Sequence, residues 1–447
     1  MSNLDTIFAL STGTGRSGVA VIRISGPASR TVIESLAGPA PEPRRATLRS
    51  IRDQDGLLID RGLVLWFPGP DSFTGEDCAE LQVHGSSAVI ADILRAVGQC
   101  PGCRPAEAGA FARRAFENGK LDLTAVEGLA DLIEAETTAQ RRAALRQADG
   151  ELQRLFDNWR SQLLQAMALV EAAIDFSDEG DVAVGVMAQA LPIVDKLQSE
   201  ISDHLIETDR ARGLREGLTL CLAGPPNVGK SSLMNWLTQR DVAIVDPTPG
   251  TTRDRLESRI EIEGVPVTLL DTAGLRAEPA SPIEASGIER ARAARDAADI
   301  VLWLESSDTC LQGSGPGARF DSQPQWIRIR NKVDLDDEEQ CELADSDALS
   351  ISVTREIGLD SLMDRIRCAV SELAGLTEQP IASRLRHSAI LTDVLSTLKA
   401  IASVRKDEPE LVGEHLRQAA NGVGQLTGRV DVEEVLGSIF SEFCIGK

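Results

Sequence analysis

Gly224-Pro-Pro-Asn227-Val228-Gly229-Lys230-Ser231 has the composition of a loop that holds phosphates. Glycine lets the backbone bend so that its N–H groups cradle an anion, Lys230 reaches the β and γ oxygens of a nucleotide, and the Ser231 hydroxyl is a ligand for Mg²⁺. Downstream, Asp271-Thr272-Ala273-Gly274 offers a carboxylate to the Mg²⁺ shell and a glycine amide to the γ-phosphate. Asn331-Lys332-Val333-Asp334 supplies an Asp carboxylate able to accept both N1–H and N2–H of guanine, a pair that adenine lacks. The nucleotide read from this set is GTP. Thr251-Thr252 lies between the two phosphate-side motifs and provides the switch hydroxyl, that of Thr252, which joins Mg²⁺ when GTP is bound. The parts occur in chain order, and Ser232 beside Ser231 completes the nucleotide-binding set.

Leu275 follows Gly274, where Ras-like enzymes place the glutamine that orients the attacking water. Other groups must then position water and neutralise charge. Asn227 and the stretch Asp246-Pro-Thr248-Pro-Gly-Thr251 offer oxygens for a monovalent cation beside the β/γ bridge, doing the electrostatic work of an arginine finger. Glu284 is placed to hold the attacking water through a bridging water; its alternative is a solvated surface glutamate. The catalytic set is therefore Lys230, Thr252 and Glu284.

The elements that must position these groups follow from periodicity. Leu218, Leu220 and Leu222 alternate as a strand before the phosphate loop, Val267 to Leu270 form one before Asp271, and Trp326 to Ile329 one before Asn331. Strands and helices alternate to about Leu373, the pattern of a doubly wound α/β unit. Earlier, Val19 to Ile24, Leu63 to Phe67 and Ala79 to Val83 read as strands and Ser86 to Val97 as a helix, an α+β unit. Between these regions one face of a long helix is lined by Leu152, Leu155, Phe156, Trp159, Leu163, Met167, Val170 and Ile174, and a second helix runs through Leu191 to Leu205. Helices resume with Leu391 to Ile401 and close with Val432 to Phe443, opened by an Asp431-x-x-Glu434 capping box. Helices on both sides of an α/β unit imply a helical domain interrupted by an inserted one.

A chain of 447 residues has the length of about three domains. Its composition, 42% hydrophobic and 26% charged, is globular. No apolar run reaches a membrane span and the first residues lack the pattern of a signal peptide, so a cytoplasmic location is expected, with no membrane contact. The eight cysteines show no disulfide framework, and Cys100-Pro-Gly-Cys103 alone reads as two turn thiols rather than a zinc or redox motif. With 46 basic against 69 acidic residues the net charge is −23, so RNA must be met at a local patch or through a partner. Tyr is absent and aromatics make up 3%, which disfavours a stacking single-strand binder.

The nucleotide motifs, together with several pieces outside them, resemble the bacterial tRNA-modification GTPase MnmE (TrmE) family over essentially the whole chain. The carriers are Gly18-Val-Ala-Val-Ile-Arg23-Ile-Ser-Gly26, Ser72-Phe-Thr-Gly-Glu-Asp77 with Glu80 and His84-Gly85, Arg114-Ala-Phe-Glu-Asn-Gly-Lys120-Leu-Asp-Leu123, Ile174-Asp-Phe176 and Phe443-Cys444-Ile445-Gly446-Lys447. The resemblance implies a multidomain chain: an α+β N-terminal domain, an all-α helical domain and an inserted Ras-like α/β P-loop GTPase domain. Their limits would be 1–119 for the tetrahydrofolate-binding domain, 120–213 with 376–447 for the helical domain, and 214–375 for the GTPase domain. It further implies a GTPase that, with the FAD flavoprotein MnmG in a heterotetramer, places an aminomethyl or carboxymethylaminomethyl group on C5 of the wobble uridine in the tRNA anticodon.

The one-carbon unit would come from 5-formyl- or 5,10-methylene-tetrahydrofolate. The residues matching the family's folate contacts are Arg23, Glu80, Lys120 and Lys447, types that suit a pterin's amino-pyrimidinone edge and a glutamate tail. The resemblance also implies potassium activation through Asn227, Asp246, Thr248 and Thr251, a homodimer joined across its nucleotides, and a backbone contact to guanine at Ser352. Cys444 is either a reactive thiol near the folate carbon or a packing residue, and His84 a turn-capping residue or a folate neighbour. The rival class is a regulatory or ribosome-assembly GTPase without covalent RNA chemistry, which leaves the N-terminal and C-terminal pieces unexplained.

Overall fold

The computed structural model describes residues 5–13, 15–175, 180–240, 257–271, 295–306, 325–335, 348–375, 380–403 and 408–430, with 293, 436, 437, 439, 440, 443 and 446. The chain gathers into two compact units, Met1–Ala130 with Gln147–Ser161 and Ala420–Lys447, and Asp131–Arg146 with Gln162–Ala419.

The first unit is built on β1 (Thr6–Leu10), β2 (Ser17–Ser25), α1 (Ser29–Ala37), β3 (Thr47–Arg52), β4 (Leu58–Phe67), β5 (Cys78–Gly85), α2 (Ser87–Gly98), β6 (Cys103–Pro105) and α3 (Ala110–Glu117). The sheet order is β3-β4-β5-β2-β1-β6, antiparallel except for the β1–β6 pair. Ile22, Ile24, Leu81 and Val83 turn one face toward Val32, Ile33, Leu36, Ile93 and Val97 of α1 and α2. The pleat therefore turns Arg23 and Glu80 to the opposite face. Ser86 caps α2 by accepting the Val89 N–H at 3.2 Å, where the sequence places that helix's start. The strands read from sequence are all present, and β1, β3 and α1 are found beside them.

Helices follow as α4 (Leu123–Glu134), α5 (Thr138–Ala148), α6 (Glu151–Asp175) and α7 (Gly180–Glu216). In α6, Leu152, Phe156, Trp159, Leu163 and Val170 are all buried, the stripe expected from their spacing. Within the first unit Ala112, Leu123 and Val126 pack with Leu436, Ile439, Phe440 and Phe443. The Asp431-x-x-Glu434 cap lies outside the described residues.

The second unit continues with β7 (Leu218–Ala223), α8 (Lys230–Arg240), β8 (Glu257–Ile262), β9 (Val265–Asp271), β10 (Ile300–Glu305), β11 (Gln325–Arg330), β12 (Leu349–Ser350), α9 (Leu359–Ala374), α10 (Leu385–Ser403) and the part up to Ala419 of α11 (Pro409–Leu426). The last of these is not marked in the sequence reading. The sheet order is β12-β11-β10-β7-β9-β8, parallel except for β8. Leu220, Leu222, Val267, Leu269, Leu302 and Ile329 form its core with Leu233, Leu237, Leu362 and Ile366 of α8 and α9. Gln140 Nε2 donates to the carbonyls of Leu214 and Arg215 at 3.2 and 3.0 Å, covering the end of α7 just before β7 begins. Asp131 Oδ1 accepts from Arg215 Nε at 3.0 Å and Arg384 Nη2 at 2.7 Å. Among the described residues no helix is long and apolar enough to cross a membrane.

His204 of α7 accepts the Ala382 N–H at Nε2, 3.1 Å away. Burial, with the charge of His387 acting in the same direction, pushes its imidazole from 6.5 down to about 4. A neutral imidazole in the fold contributes stability that is complete above the unfolded value and is lost as pH falls from about 6.5 to about 4, up to about 3 kcal/mol. Thermal unfolding at pH 7 and pH 4.5 should show a smaller acid-induced fall in Tm for His204→Gln, which keeps an acceptor but cannot titrate, than for the wild type.

Candidate active site

The phosphate loop occupies the turn between β7 and α8. Gly224 has φ 141°, and a Cβ there would stand 2.2 Å from the Leu304 carbonyl oxygen. Gly229 has φ 98°, and a Cβ would meet Asn331 Nδ2 at 2.3 Å. Only glycine satisfies both positions. Asn227 adopts φ 65° and is exposed, while Val228 beside it is buried. The loop is therefore anchored by one apolar side chain and displays its amide side chain outward.

Lys230 opens α8 and is buried, with Nζ donating to the carbonyls of Gly224 at 3.0 Å and Pro225 at 2.7 Å. Its ammonium thus lies over the cradle that the backbone forms. Ser231 Oγ donates to Asp271 Oδ2 at 2.9 Å, so a hydroxyl and a buried carboxylate from two motifs converge. Oxygen donors so arranged fit Mg²⁺, whose shell they enter directly or through water. Asn331, buried at the end of β11, donates from Nδ2 to the Val228 carbonyl at 2.8 Å and accepts the Val353 N–H at 3.4 Å. Lys332 takes φ 66°, and Asp334 stands exposed in the short turn Val333–Leu335. Ser352 is buried, with its N–H bonded to the Ile357 carbonyl at 3.0 Å. Ser232, in the first turn of α8, is exposed.

Asp246, Thr248, Thr251, Thr252, Thr272, Ala273, Gly274 and Glu284 lie outside the described residues, as do Cys444 and Lys447.

On the open face of the N-terminal sheet, Arg23 and Glu80 are direct cross-strand partners, with Nη2 and Nε of Arg23 3.1 and 3.2 Å from Glu80 Oε1. The guanidinium lies 5.2 Å from the ring centroid of exposed Phe73 and 5.9 Å from that of buried Phe111. Behind this pair Arg114 is only 3% exposed. It donates to the carbonyls of Asp5 and Ser25 at 3.2 and 3.1 Å, and to the carboxylates of Glu76 and Asp5, both at 2.7 Å. Asn118 donates to the Thr74 carbonyl at 2.7 Å, so one face of α3 clamps the loop bearing Phe73. In the sequence Arg114 and Phe73 stand only as parts of the family pattern, with no local signal of the clamp. The hydrogen bond from Arg104, helped by the charges of Arg104 and Arg114, holds the Asp5 carboxyl below its usual range against partial burial.

Gly446 takes φ 99° and its carbonyl accepts from Ser11 Oγ at 2.8 Å, seating the C-terminal segment at the end of β1, next to the strand that carries Arg23. His84 is exposed and bonds Asp60 on the adjacent β4 through Nδ1 at 2.9 Å. Cys103 lies beside Cys100; burial first and then Cys100 push its thiol up to about 11, which suits a turn thiol and not a thiolate nucleophile.

Residues 6–120 match the family model described as GTP-binding protein TrmE N-terminus, and residues 123–444 that described as MnmE helical domain. The chain is 47% identical over 443 residues to the tRNA modification GTPase MnmE of Rhodopseudomonas palustris, covering 99% of both chains. It is 48% identical over 448 residues to the protein of that name from Parvibaculum lavamentivorans, covering 99% of this chain and 100% of the relative. The chain belongs to the MnmE family. In this MnmE-family chain the P-loop unit is the GTPase, inserted among helices behind an α+β N-terminal part. Replacing Asp334 by Asn should weaken GTP binding by about two orders of magnitude while improving binding of XTP, whose base presents an acceptor where guanine has its amino group. Competition of the two nucleotides against a fluorescent GDP checks this.

Proposed function

We propose that this chain hydrolyses GTP to drive the modification of tRNA in the cytoplasm, acting as a homodimer with the flavoprotein MnmG. In this reading the pair installs an aminomethyl or carboxymethylaminomethyl group at C5 of the wobble uridine. The carrying observation is the coexistence, in one chain, of a GTP cradle closed by Ser231, Asp271 and Asn331 and a separate Arg23–Glu80 pair on an open sheet face. The domain limits in the reading are 1–119, 120–213 with 376–447, and 214–375.

At the nucleotide, Lys230 neutralises charge on the β and γ oxygens while the loop amides hold them in line. Ser231 and Thr252 would hold Mg²⁺, with Asp271 orienting its shell. Asn227, whose exposed amide projects from a left-handed backbone, would hold K⁺ together with Asp246, Thr248 and Thr251. Bound there, the cations would supply positive charge where negative charge develops in the transition state. Glu284 positions the attacking water.

The N-terminal site would take a tetrahydrofolate through Arg23, Glu80, Lys120 and Lys447. Both Arg23 bonds go to one oxygen of Glu80, which leaves acceptor capacity on the other for an amino-pyrimidinone edge. Folate supplies the one-carbon unit. The seating of Gly446 on Ser11 supports the assignment of Lys447, because it brings the tail to this sheet. Cys444 is a thiol of the same site in this reading; its alternative is a packing residue of the last helix.

Hydrolysis in KCl should exceed that in NaCl of equal ionic strength by at least about tenfold; equal rates remove the cation from the mechanism. For the reaction as a whole, mass-spectrometric nucleoside analysis of tRNA from a strain lacking this gene should show loss of the C5-aminomethyl uridine family. The wild type, and not Lys230→Ala, should restore it. An unchanged profile in a strain with no second copy would instead favour an assembly GTPase.

A further inference from the structure

We propose that a polar cavity beside Lys120 receives the poly-γ-glutamate tail of the folate, so that the ligand of this chain is a polyglutamylated tetrahydrofolate. The inference rests on the folate reading above. The cavity has a volume of about 460 Å³ and opens between the starts of α4 and α6 and the segment following α11. Lys120, Gln153 and Arg429 line it, with Asp122 and Asp149. Its size lies within the range of small-molecule sites, and apart from Phe116 and Leu121 its lining side chains are small or polar. A flexible chain of carboxylates and amides is the matching ligand class.

Lys120 links this cavity to the loop beside the Arg23–Glu80 pair. The loop 72–77 places the Phe73 ring against the Arg23 guanidinium, and at Gly75 an added Cβ would stand 3.4 Å from Lys120 Cγ. Lys120 therefore lays its stem along the loop that covers the ion pair and also lines the cavity. It is exposed and forms no ion pair among the described residues. A pterin edge at Glu80 and a benzoyl ring near Phe73 leave the first glutamate at Lys120, and every further γ-linked unit must continue into the cavity.

The charges there suit carboxylates. Asp122 is turned back onto α4, where its Oδ1 accepts from Thr124 N and Oγ1 at 2.8 and 2.6 Å and from Ala125 N at 3.3 Å. Arg429 gives one of its five N–H donors to Asp157, at 2.8 Å, and is 48% exposed, so the rest of its fork can reach a carboxylate. The 12-residue α4 and the 25-residue α6 both begin at the cavity; the positive end of α4 is capped by Asp122, and α6 adds the positive end of its dipole. Asp149, and Asp122 to the extent that the α4 amides do not offset its charge, oppose an anion.

Calorimetric titration of the full chain with 5-formyltetrahydrofolate carrying one or three glutamates tests the assignment. The triglutamate should bind about tenfold more tightly, the ratio falling as KCl is raised. Arg429→Gln should bring the ratio close to one, and Asp149→Asn should increase it. Equal binding of both forms by the wild type, or a ratio that survives Arg429→Gln and ignores Asp149→Asn, overturns the proposal and leaves the folate reading standing. Failure of the wild type to bind either form overturns the folate reading itself.

Discussion

One buried hydrogen bond, from Asn331 Nδ2 to the Val228 carbonyl at 2.8 Å, ties the base-reading loop to the phosphate loop. The two loops leave β11 and β7, which are not neighbours, since β10 runs between them. Parallel strands all discharge their loops at the same edge, so groups far apart in sequence meet above the carboxyl ends of the sheet. Asn331 can approach only because Gly229 has no side chain to meet it. The separation between the base-reading loop and the phosphate loop is thereby held by protein contacts. Asp271 arrives at the same edge on β9, and the antiparallel β8 sends its chain the other way.

The N-terminal sheet solves its positioning problem differently. It is largely antiparallel and its helices cover one face, so alternation alone delivers Arg23 and Glu80 to the other. In the folate reading, side chains on rigid strands, rather than backbone amides in a loop, would form the recognition surface. The loop above them is preset by Arg114, a buried charge whose desolvation is offset by two carboxylates and two carbonyls. A preset wall lowers the ordering entropy lost when a ligand binds. Phosphates, alike in every nucleotide, suit a backbone cradle, whereas an asymmetric heterocycle needs distinct donors and acceptors on fixed strands.

Much of this was legible before any coordinates. Alternation in Leu218, Leu220 and Leu222 marks β7, and the helical stripe from Leu152 to Val170 marks α6, because burial on one face leaves a period in the sequence. α11 escapes that reading: Gly413, Gly422 and Gly424 interrupt Pro409–Leu426, yet burial of Val412, Leu416, Ala419, Val423 and Leu426 holds it helical. Similarly, no local pattern separates Arg114 from the exposed Arg113 beside it. Their difference is which face of α3 meets the sheet.

By itself the sequence determined the chemistry of the nucleotide site, since the phosphate loop and the guanine motif are short and their function lies in residue types at fixed local spacing. Tertiary structure decided which distant groups touch. Arg23 and Glu80 are 57 positions apart, Asn331 and Val228 are 103 apart, and Ser11 and Gly446 are 435 apart. Backbone conformation is governed by neighbours along the chain and leaves its mark in local composition. Strand register and the seating of a terminal segment depend on the packing of whole cores, to which every buried side chain contributes and which no short stretch of residues encodes alone.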